Sequence, residues 1–267
     1  MSDINNIEQH YSLDERPFLE KVRGFCQLVD DRYSPYLTDF LNPREIQIVE
    51  ELAHYYNLKF FVSSTPESEE YGRVILAPDY YELDEDDFEI KRLEIVYARQ
   101  FNKLTHPKVL GALINQLGLE RQVFGDIILD DEGRVQFHIA SHLSSYAIMT
   151  ITKIGNVSVT LKEVSKDNWI VNQEGYSQSF VLLSSMRLDN ILATILRVSR
   201  SNAMKLIVSG KVKLNYRQVE KADLIITIGD MISVRGYGRF RLAQQDGFSK
   251  SGKAKIVIES LLRRRKK

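Results

Sequence analysis

Seven cationic side chains crowd one stretch near the carboxyl end: Arg187, Arg197, Arg200, Lys205, Lys211, Lys213 and Arg217. Ser199, Ser201 and Asn215 are interleaved with them. Guanidinium and ammonium groups bind phosphate oxygens, and hydroxyls, amides and the N–H groups of helix starts add neutral donors. The chemistry on offer is non-covalent capture of a polyanion. A face that neutralises about five phosphates binds with a strongly salt-dependent affinity, roughly −0.7 to −0.9 in log–log slope per phosphate.

Residues for covalent chemistry are harder to find. His10, His54, His106, His138 and His142 are scattered. His138 and His142 fall on a strand end and a helix start, with no acidic or thiol third ligand at metal-site spacing. Residues 247–254 read GFSKSGKA, close to a phosphate-binding loop. Ala254 stands where Ser or Thr would bind magnesium, and a strand-like run follows instead of a helix. The run Asp84-Glu85-Asp86-Asp87 with Glu89 reads as a solvated loop, with no ligand geometry implied. The single cysteine, Cys26, leaves no disulfide framework and fits a reducing cytosol. The sequence therefore predicts no catalytic residue, no metal, no cofactor and no small-molecule substrate.

The elements that position the cations are short and clearly punctuated. Leu188, Ile191, Leu192 and Ile195 form one apolar helical stripe. Ser184 or Ser185 is the expected N-cap, and Asp189 early in the helix suits the positive end of the dipole. Ser199 is expected to cap a second helix with apolar face Ala203, Leu206 and Ile207, closed by Gly210. The helix starts at Ser185 and Ser199 are expected to supply N–H donors to phosphate. Lys211–Asn215 predicts a strand, Asn215-Tyr216 a turn, and Leu224–Ile228 and Met231–Arg235 two alternating strands around Gly229-Asp230. Phe240–Leu242 and Ala254–Ile258 predict two more.

Charge supports this division. The chain of 267 residues has 36 Lys+Arg and 36 Asp+Glu. Residues 182–267 carry 19 basic and 6 acidic residues, and residues 1–181 carry 17 and 30. Such asymmetry points to a nucleic acid or an anionic surface as partner. The tail Arg263-Arg264-Arg265-Lys266-Lys267 is a like-charge run expected to be disordered. With 43% hydrophobic residues the chain has enough apolar material for real cores. The start has no basic region followed by an apolar core, so no signal peptide is expected. Val135–Thr152 lacks Asp, Glu, Lys and Arg but contains Gln136, His138, Ser141, His142, Ser144 and Ser145, and it switches period from two to helical. It reads as a strand entering a helix, and no membrane partner is expected.

Upstream, Asp14–Arg32 predicts a helix with Phe18, Val22, Phe25 and Val29 on one face. A second helix follows Asn42-Pro43, with Ile46, Val49, Leu52 and Ala53 as its stripe. Lys59–Val62 and Arg73–Ala77 predict a small hairpin. The order after residue 82 is strand Ile90–Ala98, helix His106–Leu117, strands Asp126–Leu129 and Arg134–Ala140, helix Ser141–Ile154 and strand Val157–Val164. This β-α-β-β-α-β order is that of ferredoxin-like folds and of RNA-recognition modules. Tyr97 and Phe137 are the candidates for stacking bases there, although Phe137 alternates with Val135 and Ile139 as core. Residues 168–179 read as a linker, with Trp169, Ile170 and Val171 as a candidate last strand. The fold class is α+β: residues 1–82 a helical domain with a hairpin, 83–172 an RRM-like domain, 180–267 a basic module.

MRLDNIL, SRSNAMKLIVSGKVKLN and GDMISVRG, between Ser184 and Gly236, resemble an S4 RNA-binding domain. HPKVLGALINQLGLERQVFGDI, His106–Ile127, is similar to the middle domain of the YlmH family of bacterial S4 proteins. The three-part layout matches that family along nearly the whole chain. The resemblance implies a cytoplasmic, non-enzymatic, monomeric protein that binds RNA on the ribosome. The implied partners are ribosomal RNA of the large subunit and peptidyl-tRNA. The implied roles are ribosome-associated quality control, in rescue of stalled complexes, and a genetic link to cell division. It matches Arg187 and Arg200 to arginines that contact RNA. Asn190 and Ile191 depart from the family's usual Lys and aromatic residue, which leaves base contacts open. Two other readings stand beside this one. One is a pseudouridine-synthase-like RNA-modifying enzyme, since Arg-Leu-Asp at 187–189 resembles a short motif in such enzymes. The other is a cell-division factor whose acidic amino-terminal part binds a protein.

Overall fold

The structure is a computed structural model that describes residues 11, 13, 15–64, 69–170 and 177–262. The chain divides into two compact units, Met1–Gln173 and Glu174–Lys267. The basic tail 263–267 and Val171 lie outside the described residues.

The first unit opens with α1, Arg16–Arg32, started by Pro17 and ended by Tyr33 in the left-handed region (φ 47°). Its buried stripe is Leu19, Val22, Cys26 and Val29. Phe18 and Phe25 are only partly buried at its rim, a shift of one residue from the expected face. Strand β1, Tyr36–Leu41, follows, and then α2, Pro43–Tyr55. Asn42 caps α2 in a complete capping box: its side chain accepts from the backbone of Arg44 and Glu45, and Glu45 accepts from the backbone of Asn42. Strands β2, Lys59–Val62, and β3, Gly72–Ala77, pair as expected. The expected hairpin is part of a three-stranded sheet of order β1-β3-β2. Thr38, Asp39 and the aromatic Tyr36 and Phe40 gave β1 no clean alternation, which hid it.

The second half of this unit is β4, Ile90–Val96; α3, His106–Leu117; β5, Phe124–Leu129; β6, Val135–Ala140; α4, Ser144–Thr150; β7, Lys153–Ile154; β8, Val157–Ser158; and β9, Thr160–Glu163. The sheet order is β5-β6-β4-β9, antiparallel throughout. Numbered within the motif this is 2-3-1-4, the ferredoxin-like arrangement. The expected helix over Ser141–Ile154 is shorter, because a 3₁₀ turn occupies Ser141–Leu143 and the chain is extended by Ile151. Ser141, Ser144 and Ser145 and the β-branched Thr150 and Ile151 are weak helix formers. The last expected strand is broken in two at Val159. Trp169 and Ile170 form no strand and follow a 3₁₀ turn at Lys166–Asn168.

The second unit is built on a six-stranded sheet of order β10-β15-β14-β13-β11-β12. Its elements are β10, Ser177–Leu183; α5, Leu188–Leu196; α6, Arg200–Val208; β11, Val212–Leu214; β12, Arg217–Gln218; β13, Met231–Val234; β14, Gly238–Phe248; and β15, Ala254–Leu262. Ile191, Leu192, Ala203 and Ile207 of the helices pack with Phe240, Leu242, Ile256 and Ile258 of the sheet in one core. Part of the expected linker is thus strand β10, whose Ser and Gln residues suit an exposed edge. Leu224–Ile228 is not a strand and makes a single bridge, Ile225 to Arg187. No helix among the described residues is long and apolar enough to cross a membrane.

Candidate nucleic-acid interface

Arg187 sits at the N-cap of α5 in extended geometry, and Arg200 is the first residue of α6. The short α5–α6 connection brings both side chains to one carboxylate. Arg187 donates Nε and Nη2 to Asp189 at 3.3 and 3.1 Å. Arg200 donates Nε and Nη2 to Oδ2 of the same carboxylate at 2.9 and 2.8 Å. Asp189 is 1% exposed, whereas Arg187 and Arg200 retain 38% and 56% of their side-chain exposure. The Arg187 guanidinium, with Arg200 beside it, holds the Asp189 carboxyl below the usual carboxylate range. The cluster therefore keeps a net positive charge. Each guanidinium has five N–H donors and gives two to Asp189, so three remain for an outside acceptor. The anchoring carboxylate removes rotamer freedom that a flexible arginine would otherwise lose on binding.

Ser199 accepts from the backbone N–H of Asn202 at 3.2 Å and caps α6 as expected. Ser201 is exposed on the first turn of α6. The expected Ser cap of α5 is absent. Ser185 Oγ accepts from Arg187 N, and Leu188 N and Asp189 N donate to the carbonyls of Leu224 and Ala222. The start of α5 thus offers those N–H groups to its own chain rather than to phosphate, a role taken by the segment expected to be a strand. Lys205 and Lys211 meet across a shallow groove floored by Val198, Leu206 and Ser209.

Asn215-Tyr216 forms a two-residue hairpin turn with positive φ at both residues (46° and 70°). The amide of Asn215 ties that turn to the start of β13, donating to Asp230 and accepting from Met231 N. Asn215 therefore positions the ribbon while remaining exposed. Register also separates two of the cations: Lys213 pairs with Gln218 and Leu214 with Arg217, so Lys213 and Arg217 occupy opposite faces of the β11–β12 ribbon.

Arg197 ends α5 in the left-handed region (φ 53°) and is exposed. A side chain there is strained and glycine is not. Arg197→Gly is expected to stabilise the fold by up to about 1 kcal/mol, since relief of strain outweighs the added freedom of the unfolded chain. The same substitution is expected to weaken RNA binding and reduce its salt slope by about 0.7–0.9. Thermal unfolding and a salt titration of binding, run together, check both.

Neither face of the ferredoxin-like sheet is offered to bases. Phe137 is fully buried with Leu93, Ile139 and Val109 in the core, and the Tyr97 hydroxyl donates to the carbonyl of Gly133 at 2.7 Å. On the other face Arg92 is 4% exposed. It donates Nε to His138 Nε2 at 2.8 Å, Nη1 to the carbonyl of Ile170 at 3.0 Å and Nη2 to Glu69 at 3.1 Å. Its guanidinium stacks on Trp169 with 4.1 Å to the ring centre. Asp126 accepts from the backbone N–H groups of Glu70 and Tyr71. Gly125 is required by this closure, because a Cβ there would lie 2.7 Å from the Phe40 ring. Burial pushes Glu69 up to about 7, against the pull of Arg92. Burial also pushes Asp126 up to about 6 and, with the neighbouring Arg92 charge, His138 down to about 3.

His138 consequently stays neutral in the fold while the unfolded chain protonates it near 6.5. Its stabilising effect is complete above 6.5 and is lost as pH falls from there toward 3. Glu69 and Asp126 act in the opposite sense, losing stability as pH rises from the ordinary carboxylate range toward 7 and 6. The difference between the wild type and His138→Gln isolates the histidine. Wild type is expected to lose stability relative to the variant as pH falls below 6.5, with a limiting slope of about 1.4 kcal/mol per pH unit. Thermal unfolding at a series of pH values measures it.

His142 is exposed in the 3₁₀ turn after β6, and His106 begins α3 as expected. The 84–87 run forms a capped 3₁₀ turn. Among the described residues no group of three or more His, Cys, Asp or Glu is placed to hold a metal ion. Sequence reasoning missed the anchoring role of Asp189. The signal was available: an acid two residues after Arg187, in a stretch otherwise rich in cations.

Two short helices set on a twisted sheet, with an arginine pair at their starts and lysines along the following strand, define an S4-type RNA-binding module. The S4 domain model matches residues 186–232, and the model described as a putative RNA-binding domain in YlmH matches residues 84–168. The chain is 32% identical over 96% of its length, and 99% of the relative's, to the ribosome-associated protein quality control protein P2 of Bacillus subtilis (strain 168). It is similar to a solved structure of the cell division protein ylmH from Streptococcus pneumoniae: 43% identity, TM-score 0.54, covering 60% of this chain and 97% of that one. A shorter match, 40% over 57 residues, covers 21% of this chain and 18% of an uncharacterized RNA pseudouridine synthase, MG209, of Mycoplasma genitalium. The chain belongs to the YlmH family of S4-domain RNA-binding proteins.

Proposed function

We propose that the protein is a non-enzymatic, cytoplasmic factor that binds ribosomal RNA of the large subunit, with peptidyl-tRNA as a further contact, during quality control of stalled ribosomes. The observation that carries this reading is the Arg187–Asp189–Arg200 cluster, a rigid and half-exposed cationic pair suited to phosphate oxygens. The quality-control name of the Bacillus subtilis relative, which spans nearly the whole chain, supports the ribosome as the place of action. In this reading the protein works as a monomer without cofactor, and residues 1–82, 83–172 and 180–267 act as three domains. The closed sheet face of the middle domain favours the basic carboxyl-terminal unit as the main RNA contact. Ultraviolet crosslinking in cells followed by sequencing tests it. Enrichment of large-subunit RNA, lost on Arg187→Ala/Arg200→Ala, is expected; crosslinks spread evenly over messenger RNA would overturn it.

A second reading is favoured by the cell-division name of the Streptococcus pneumoniae structure. There the acidic residues 1–181 would recruit a protein partner. A partner that full-length protein retains after nuclease treatment supports it, and loss of the partner with the RNA removes it.

A further inference from the structure

β14 continues past the end of β13, with β15 beside it and β10 along the far edge of β15 as far as Ala254. β13 ends with Met231 opposite Arg241, yet β14 runs on to Phe248. Gln244 to Phe248 are all exposed, whereas Ile256, paired with Gln245 on β15, is buried. Register shifts set six residues of β14 against four of β15, so at about 3.3 Å per residue the extension runs roughly 13 Å past Leu242. Its tip is well defined. Ser249 N donates to the Lys253 carbonyl at 2.7 Å, Lys253 N donates to Ser249 Oγ at 3.0 Å, and Gly252 closes the turn with positive φ. The tip carries Lys250 and Lys253, both exposed, and residues 247–258 contain no Asp or Glu. Phe248 is 66% exposed at the end of β14.

An aromatic ring left in water beside two lysines, with Asp246 as the one acid between residues 244 and 258, has the composition of a single-strand nucleic-acid contact. Every base has a face to stack on a ring, and the ammonium groups follow the phosphates. The tip also faces the right way. Phe248 pairs with Ala254, and Ala254 with Leu183, so Phe248 shares the sheet face on which α5 and α6 pack nearer the base. Leu183 is followed directly by the turn that leads to Arg187. The arginine pair and the finger thus lie at the same end of the sheet.

We propose that the β14–β15 finger is a second RNA-contacting site, in which Phe248 stacks on an unpaired base and Lys250 and Lys253 hold its flanking phosphates. This rests on the RNA-binding reading above. It lies outside the residues matched by the S4 model and absorbs the loop that resembles a nucleotide-binding motif in sequence only.

The test measures binding of the full-length protein to purified Bacillus subtilis large ribosomal subunits over a salt series. Lys250→Ala/Lys253→Ala is expected to reduce the log–log slope by about 1.4–1.8. Phe248→Ala is expected to weaken binding about fivefold or more with the slope unchanged, and Phe248→Tyr to restore it where Phe248→Leu does not. Because these side chains are exposed, unfolding temperatures should match the wild type. Wild-type affinity and slope in all finger variants, with Arg187→Ala/Arg200→Ala still defective, would overturn the finger alone. Rescue by leucine would overturn stacking. Wild-type protein that binds the subunits without salt dependence would overturn the RNA-binding reading itself. Finger variants that bind RNA normally but lose a nuclease-resistant protein partner would reassign the finger to protein recognition.

Discussion

Arg187→Ala/Arg200→Ala is expected to weaken binding to large ribosomal subunits by on the order of 100-fold or more at 0.1–0.15 M salt. The figure comes from losing two charge-assisted contacts. The log–log salt slope should fall by about 1.4–1.8, as two phosphates lose their partners. Stability should change little. Asp189 is closed over by two half-exposed guanidinium groups, so truncating both returns the carboxylate to water, at a cost of about 1 kcal/mol or less. The triple variant that adds Asp189→Ala removes even that contribution. If the triple variant unfolds at the wild-type temperature and still fails to bind, the loss belongs to the interface. Asp189→Asn offers the complementary result. It keeps both arginines but loosens their anchor, so affinity should fall while the salt slope stays near the wild-type value.

The second large effect concerns the fold. Arg92→Ala is expected to destabilise the first unit by about 3–5 kcal/mol, the range for breaking a buried ionic network from one side. The guanidinium serves His138, Glu69 and the Ile170 carbonyl at once and stacks on Trp169. Removing it leaves the mostly buried Glu69 and the buried Ile170 carbonyl without that donor. Lysine does not substitute, since a single ammonium lacks the fork that reaches all three. The unfolding temperature of this unit should drop by about 10 °C or more. An unchanged temperature would mean that the network is solvated and the sheet face open. RNA binding through the second unit should persist in Arg92→Lys at temperatures where the protein remains folded, because no base contact is assigned to the closed face.

Much of this organisation is legible in the residues. The helix starts at Asn42-Pro43 and Ser199 are written in capping chemistry, and the β-α-β-β-α-β order follows from switches between periods of 3.6 and two. The cationic stretch is visible in the charge count alone. What sequence hides has a common physical origin. Arg92, Gln136 and His138 alternate with Leu93, Phe137 and Ile139, so they read as the wet face of a sheet. They are buried because Phe40, residues 69–71 and Trp169-Ile170 cover that face, and those segments are distant in the chain. Pairing across such distances leaves no local pattern. β10 was hidden for another reason: an edge strand with Ser177, Gln178 and Ser179 has the composition of a linker. The site itself was legible as a set of cations, but not as a geometry. That Asp189 would gather Arg187 and Arg200, that Asn215 would tie its turn to β13, and that Lys213 and Arg217 would part across a ribbon all depend on register and on helix placement.

A cryo-electron microscopy reconstruction of the protein on the large ribosomal subunit examines the central claim most directly. The Arg187 and Arg200 guanidinium groups are expected within about 3 Å of phosphate oxygens of ribosomal or transfer RNA, both still joined to Asp189. A bound complex in which this pair faces solvent, with the protein held by its first unit alone, would contradict it.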